Sequence, residues 1–470
     1  MIINDPGSFR DPKSRVYLSG TRVLRGLRSS QTEVEALLSA RFLVDGMESG
    51  EIVTTSLITD RTDLEGLKIT SGKVPWQAVM EHQRLPVISY PFEWSRGMLL
   101  DAAELELRVA RKALAEGWVM IDATPYNVQF VGSRPVHIDL GSFEPYQDGG
   151  AWIAYRQFCE MFLYPLLLGT RGSGSEHRVM LRGSLAGIPA SMCWTKLAVS
   201  KRLHPSLIVH VGLQAAAEKR KDRETRTFTH SDLAAAGMTA KVIDRQMGGL
   251  EKLLGRIDRR VKNSQWSSYS DRSHYSSEAY QAKRDFVVSV ASANRPSLVL
   301  DVGANDGTFS EAVAPFADYV VAVDSDDAVI DNLYSSLKDS GKNILPLVLD
   351  IADPSSGRGW ANTERQPFFR RVQPDLVLFL AVIHHLVISA SIPAELVVEF
   401  LRSLGADVIL EIPSLNDPMV SLLLEQKANA EDYRDRYDDA MITRSLENRF
   451  EIRRREEIGT RSILHLRPKT

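Results

Sequence analysis

Cysteine is nearly absent from this chain: Cys159 and Cys193 are the two in 470 residues. Two thiols cannot build a disulfide framework or a four-ligand zinc site, so the composition fits a reducing cytoplasm with both as small buried hydrophobes. A surplus of one charge is missing too. With 57 basic and 60 acidic residues the net charge is -3, and no global positive field exists to gather nucleic acid or an anionic membrane. Long apolar runs are also lacking. The most apolar stretch, 377–392, is broken by His384 and His385 and falls short of the roughly 20 residues that cross a bilayer. The opening MIINDPGSFRDP places Asp5, Pro6 and Asp11 where a signal peptide needs a basic start and an apolar core. Nucleic acid, membrane and metal are therefore not expected as partners, and a cytoplasmic location is.

What the chain does contain is an ordinary globular composition, 44% hydrophobic and 25% charged, at a length that exceeds one hydrophobic core. The run RVYLSGTRVLR at 15–25 has two short β-prone segments around Ser19-Gly20, the pattern of a hairpin. Leu99, Ala103, Leu107, Ala110 and Leu114 recur at helical spacing ahead of Gly117, a plausible C-cap. Two short β-like runs, 128–131 and 136–140, follow, joined by a Gly-Ser-Arg-Pro turn. Residues 151–262 read as predominantly helical, and Ser-rich sequence over 262–277 marks a linker.

Beyond it strand and helix alternate, with strands expected over 298–302, 319–323, 344–349, 376–380 and 408–412. Such βαβ alternation implies a mostly parallel sheet covered on both faces, with ligands at the carboxyl ends of its strands. The sharpest signal lies there. SLVLDVGANDGTFSEAV is an apolar strand ending at Asp301, then Gly303 and Gly307, then a helix; Asp324 closes the next strand and Asp350 the third. A dinucleotide fold also uses glycines and a second-strand acid. However, it seats a pyrophosphate on the helix N-terminus, where Asp306 would repel it.

Asp301-Val302-Gly303-Ala304-Asn305-Asp306-Gly307 with Asp324 and Asp350 resembles a class I S-adenosylmethionine-dependent methyltransferase, over roughly 262–470. The resemblance implies that Asp301 and the Gly303–Gly307 backbone hold the methionine part, Asp324 the ribose and Asp350 the adenine of S-adenosyl-L-methionine. It adds Ala304, Asn305, Ser325, Ile351 and Leu380 to the cofactor set, and Tyr275 from a lid ahead of the first strand. After the fourth strand, AVIHHL departs from the Asn/Asp-Pro-Pro-aromatic motif of amino-methylating enzymes. His384 and His385 stand where an acceptor would approach, and a neutral imidazole can take a proton from a hydroxyl or acid. Glu411, ending the fifth strand, is a third catalytic candidate.

In the N-terminal half, Asp122, then Asn127 five residues on, a short hairpin, and Asp139-Leu140-Gly141 follow the layout of the catalytic and metal loops of protein kinases and small-molecule phosphotransferases. In that chemistry the first Asp orients a hydroxyl, and the Asn and last Asp hold magnesium. The half is thus similar to a kinase-like fold, with departures: Met120 replaces the loop histidine, no glycine-rich phosphate loop is visible, and no Val-Ala-Ile-Lys strand can be identified, Lys68 and Lys73 being no more than guesses for its lysine. A degenerate, non-phosphorylating module is expected. The whole chain resembles a bacterial family that pairs such a half with a methyltransferase half, some members labelled as nodulation methyltransferases.

The expected fold class is therefore α/β: a Rossmann-like doubly wound methyltransferase sheet (263–470), preceded by an α+β kinase-like region (1–150) with a helical extension (151–262). The expected function is methylation of a small molecule, a hydroxyl or carboxyl acceptor being preferred, with the N-terminal half presenting or enclosing the acceptor. The alternatives are a bifunctional enzyme that also phosphorylates a small molecule, and a silent binding or scaffold protein.

Overall fold

The computed structural model describes residues 2–60, 69–71, 74–147, 149–169, 176–221, 239–257 and 277–469. Tyr275, Lys68, Lys73 and the expected 262–277 linker up to Ser276 lie outside them. The chain divides into two compact units. Unit 1 is Met1–Lys262 together with Gly357–Gln366, and unit 2 is Asn263–Ser356 with Pro367–Thr470.

Unit 1 opens with an antiparallel sheet in which the strands Ile2–Asn4, Ser14–Ser19, Arg22–Leu27, Ala78–His82 and Thr55–Leu57 lie side by side in that order. The expected hairpin is its second and third strands, turning at Gly20 with φ +58°. Ser30 starts the next helix with a reciprocal capping box to Glu33, which satisfies two backbone N–H groups that a helix start leaves open. The central helix runs Arg96–Ala115, buried on almost every face, and Gly117 takes φ +82° just beyond it. The hairpin Val128–Val131 with Arg134–His137 follows. Its turn is tighter than the four residues read from sequence, because Arg134 and Pro135 already pair with Val131 and Phe130. Short helices fill the described part of 155–254. The segment Gly357–Gln366 closes unit 1: the Arg10 Nε and Nη2 each donate at 2.7 Å to Glu364, and the Gln366 N–H donates to the Tyr90 hydroxyl at 3.0 Å.

Unit 2 is one seven-stranded sheet. Ile344–Val348, Tyr319–Asp324, Leu298–Val302, Leu376–Phe379 and Asp407–Pro413 run parallel in that order, and Arg461–Pro468 and Phe450–Ile458 add an antiparallel hairpin. The parallel strands are nearly continuous runs of buried Val, Leu and Ile, as burial on two faces requires. Their positions match the sequence expectation within a residue or two at each end. The closing hairpin was not expected. The chain winds outward from Leu298 to Ile344, then returns to the other side of its first strand at Leu376, so a topological switch point lies between Val302 and Phe379. Ligands of open α/β sheets sit outside the strand ends there.

Candidate functional site

The loop after the first parallel strand is built by backbone that only special positions tolerate. Gly303 takes φ +71°, and a methyl there would stand 2.7 Å from Val382. Gly307 takes φ +78°, and a methyl there would meet Leu333 at 2.4 Å. That glycine therefore lets the loop pack against the helix Asp327–Leu337, which follows the second parallel strand. Asn305 is also left-handed, at φ +49°, a conformation Asn accepts more readily than most residues. The N–H groups of Gly303 and Ala304 both donate to Val323 O, at 2.8 and 2.9 Å.

The acids converge around this loop. Asp301 is buried, accepts the Ser310 hydroxyl at 2.6 Å, and is pushed up to about 6 by burial. Asp324 accepts the backbone N–H of Asn305 at 3.1 Å with one oxygen and that of Asp326 at 3.0 Å with the other. Burial raises its pKa as well. Ser325 is exposed beside it. The Leu349 N–H donates to Asp324 O at 2.8 Å, which ties the third strand end to the second. Asp350 is exposed, with one oxygen on the Ala352 N–H at 2.8 Å, and Ile351 is half-buried next to it. Asp306 caps the following turn, accepting from both Thr308 N and Thr308 Oγ1. A carboxylate thus already occupies the place a pyrophosphate would need.

On the other side of the switch point lie Leu380, buried, and Ala381 at φ +56°. Then come the two histidines, their ring centroids 4.2 Å apart. His384 is 2% exposed, and its Nδ1 is buried with no hydrogen-bond partner. Burial first, then the neighbouring His385 and Arg461, hold its pKa well below 6.5. His385 is lowered too, by burial and then by Arg461. Both shifts favour the neutral imidazole. Glu411 is not free to join them: one oxygen accepts from Lys283 Nζ at 2.6 Å, the other from Arg461 Nη1 at 3.3 Å. Arg461 also donates through Nε to Asp417 at 2.7 Å.

Sequence reading missed Lys283, Ser310, Arg461 and Asp417. One had a signal. Lys283 sits on the apolar stripe of the helix Ser277–Asn294 with Phe286, Val287 and Val290, and a lysine at such a position implies a buried anion. Arg461 had none, because the hairpin that carries it was not anticipated.

In unit 1, Asp122, Asn127 and Asp139 come together. The hairpin returns Ile138 to Asn127, N–H to O at 2.8 Å, and the Asn127 amide donates to Asp122 O at 3.1 Å. Asp122 is pushed up to about 6 by burial and then by the negative charges of Asp139 and Glu106. Asp139 Oδ1 accepts from Arg25 Nη1 at 2.5 Å and from Gly141 N at 3.0 Å. Below them His137 lies between Glu106, at 3.1 Å, and Asp139 O, at 2.9 Å.

Unit 2 thus has the architecture of a doubly wound, Rossmann-like α/β domain, with a glycine loop and three strand-end acids at its switch point. No protein-family model matches the chain. A curated relative does: the chain is 30% identical over 450 residues, 95% of its own length and 92% of the other's, to the nodulation protein NoeA of Rhizobium meliloti (strain 1021). The chain belongs to the family of that protein. Among solved structures it is similar to the N-methyltransferase NodS of Bradyrhizobium japonicum WM9, at 12% identity and a TM-score of 0.30, over 41% of this chain and 98% of that one. The magnesium protoporphyrin IX methyltransferase of Synechocystis PCC 6803, solved with S-adenosylhomocysteine, aligns at 20% identity and a TM-score of 0.29, over 41% of this chain and 84% of that one. No helix among the described residues is long and apolar enough to cross a membrane.

Proposed function

We propose that the protein is an S-adenosylmethionine-dependent methyltransferase acting on a small molecule, with the chemistry in unit 2. The observation that carries the reading is the glycine loop latched to Asp324, with Asp301 and Asp350 at the flanking strand ends. Asp324 faces two backbone donors and no cation among its hydrogen-bond partners, so it suits vicinal ribose hydroxyls. Asp301 would receive the methionine ammonium, and the Asp350–Ile351 edge the adenine. Ala304, Asn305, Ser325 and Leu380 would line the same ligand. Asp306 favours a cofactor that puts no phosphate on the helix start.

When bound, S-adenosylmethionine supplies a methyl group made electrophilic by its sulfonium. The chain's own part is to hold an acceptor in line with it and to take the proton it sheds; positioning is the larger effect. His384 is the group we assign to the proton. Burial favours its neutral form, and its Nδ1 lacks a partner. His385 would contact the acceptor from beside it. Glu411, saturated by Lys283 and Arg461, becomes a positioning residue: it holds Arg461, which lowers both histidines, and Lys283, which lowers His384, while its own charge partly offsets them at His384. A hydroxyl or carboxyl acceptor fits a neutral base. We assign acceptor selection, without phosphorylation, to unit 1, because Asp139 is already paired with Arg25.

Calorimetry with the cofactor tests the reading. S-adenosylmethionine and its demethylated product are expected to bind in the micromolar range, which corresponds to about -8 kcal/mol. Tight binding of NAD with none of S-adenosylmethionine would overturn it.

A further inference from the structure

The loops of unit 1 carry the residue order of a divalent-cation site, yet the side chains are arranged around a different cation. Asp139 Oδ1 takes the Arg25 guanidinium at 2.5 Å and the Gly141 N–H at 3.0 Å. The Asn127 amide nitrogen is turned onto Asp122 O. Among the described residues no group of three or more His, Cys, Asp or Glu is placed to hold a metal ion. Magnesium demands near-octahedral oxygen ligands at about 2.0–2.1 Å, and a guanidinium on the key carboxylate oxygen occupies that position with like charge. Magnesium therefore does not fit this loop set as it stands.

The guanidinium is held there by the fold. Arg25 lies on the central strand of the five-stranded sheet, opposite Val16 on one side and Met80 on the other. Its side chain is 12% exposed, and the same Nη1 is 3.5 Å from the Ser14 hydroxyl. A methyl group at position 141 would stand 2.7 Å from that Nη1, so the glycine is what admits it. Arg25 Nε is buried without a hydrogen-bond partner, so the bond from Nη1 to Asp139 is what fixes the guanidinium among the bonds described.

We propose that Arg25 is a built-in replacement for the divalent cation: fixed on Asp139, it keeps the Asp122, Asn127 and Asp139 set free of metal, and its removal opens a latent site for a hard divalent ion. A guanidinium donates hydrogen bonds but offers no open coordination positions. It can neutralise one carboxylate, but it cannot gather phosphate oxygens and protein oxygens into one coordination shell. The inference rests on the phosphotransferase-like layout of unit 1, not on the methyltransferase reading of unit 2.

The test is titration of the full chain with Mn²⁺ alone, followed by electron paramagnetic resonance of the free ion. Wild type is expected to show no Mn²⁺ site that depends on Asp139. Arg25→Met is expected to gain one, at least tenfold tighter than any site of the wild type, and Arg25→Met with Asp139→Asn to lose it. Arg25→Gln, which keeps a donor for Asp139, is the second variant should Arg25→Met fold poorly, and it is expected to gain a weaker site. Two results would overturn the proposal: a wild-type Mn²⁺ site abolished by Asp139→Asn, or neutralised variants that melt like wild type yet gain no Asp139-dependent ion. S-adenosylmethionine affinity, measured on the same samples, is expected to stay within threefold throughout, and its loss in the wild type would count against the reading of unit 2 alone.

Discussion

Two acid constellations, one in each unit, share buried carboxylates with raised pKa values but differ at one acid, Asp139. In unit 2, Asp301 and Asp324 accept from a serine hydroxyl and from backbone N–H groups. Those donors are uncharged, and burial raises both pKa values, with the Lys283 charge offsetting part of the rise at Asp301. In unit 1, Asp139 is met by a guanidinium. Asp301, which awaits a ligand, and Asp139, which already has its cation, look alike in sequence; each closes or just follows a strand and has a glycine two residues on. What separates them is the third group, which arrives from a distant strand.

The comparison is broken most severely at the histidines. His384→Ala is expected to reduce methyl transfer by about 10²–10⁴, the usual range for a lost acid or base, with cofactor affinity within about threefold. Because His384 titrates well below 6.5, wild-type turnover should stay flat from pH 8 down to 6.5, with its acid limb below that. A limb centred at 6.5 or above, or full activity of the variant, assigns the proton elsewhere.

Next is the charge chain behind them. Lys283→Met leaves Glu411 with one fewer cation in a buried site, and is expected to destabilise unit 2 by about 3–5 kcal/mol. Adding Glu411→Leu should recover much of that loss, since replacing both members removes the unpaired charge. Denaturant melts of the two variants decide it; additive losses would mean that the pair is not coupled.

Asp324→Ala sharpens the contrast at smaller scale. It removes charge-assisted contacts of about 1.5–3 kcal/mol, so S-adenosylmethionine affinity should fall at least tenfold, whereas Asp139→Ala should leave it unchanged. Calorimetry of both gives the answer, and equal losses would erase the distinction between the constellations.

The smallest effect is one of pH. Asp301 has a folded pKa of about 6 against 3.8 unfolded, so the folded protein holds this proton more firmly. Its ionisation therefore costs stability as pH rises from about 4 to 6, and that cost is fully present at pH 7. A ligand ammonium would repay the ionised form. Cofactor affinity should accordingly decline as pH falls through 6, by at most tenfold per unit, and Asp301→Asn should flatten the slope. An unchanged wild-type affinity from pH 8 to 5 would remove Asp301 from the ammonium.

Much of unit 2 was legible because parallel strands buried on two faces leave continuous apolar runs, and the acids close those runs. Asp301, Asp324 and Asp350 could be placed by counting to the end of each. The closing hairpin was not, since Phe450–Ile458 is an edge strand reading FEIRRREEI, most of it exposed. Charge along an edge protects it from pairing with other chains, and the same charge hides it from a search for apolar alternation. Arg461 was lost with it, and with Arg461 the reason Glu411 is saturated. In unit 1 the loop residues were visible by spacing. Arg25 was not, because nothing local to the hairpin distinguishes an arginine facing solvent from one facing Asp139.

The ten residues Gly357–Gln366 give the chain an unusual order of assembly. They belong to unit 1, yet the ribosome makes them after the first three strands of unit 2. Domains emerging from synthesis ordinarily fold from the N-terminus as each is completed. Here the first unit must wait about a hundred residues beyond its own apparent end before Glu364 can reach Arg10 and Gln366 can reach Tyr90. Truncation anywhere between 263 and 356 would therefore release an N-terminal unit lacking part of itself, and the two halves of this protein cannot be separated by a single cut without leaving one incomplete.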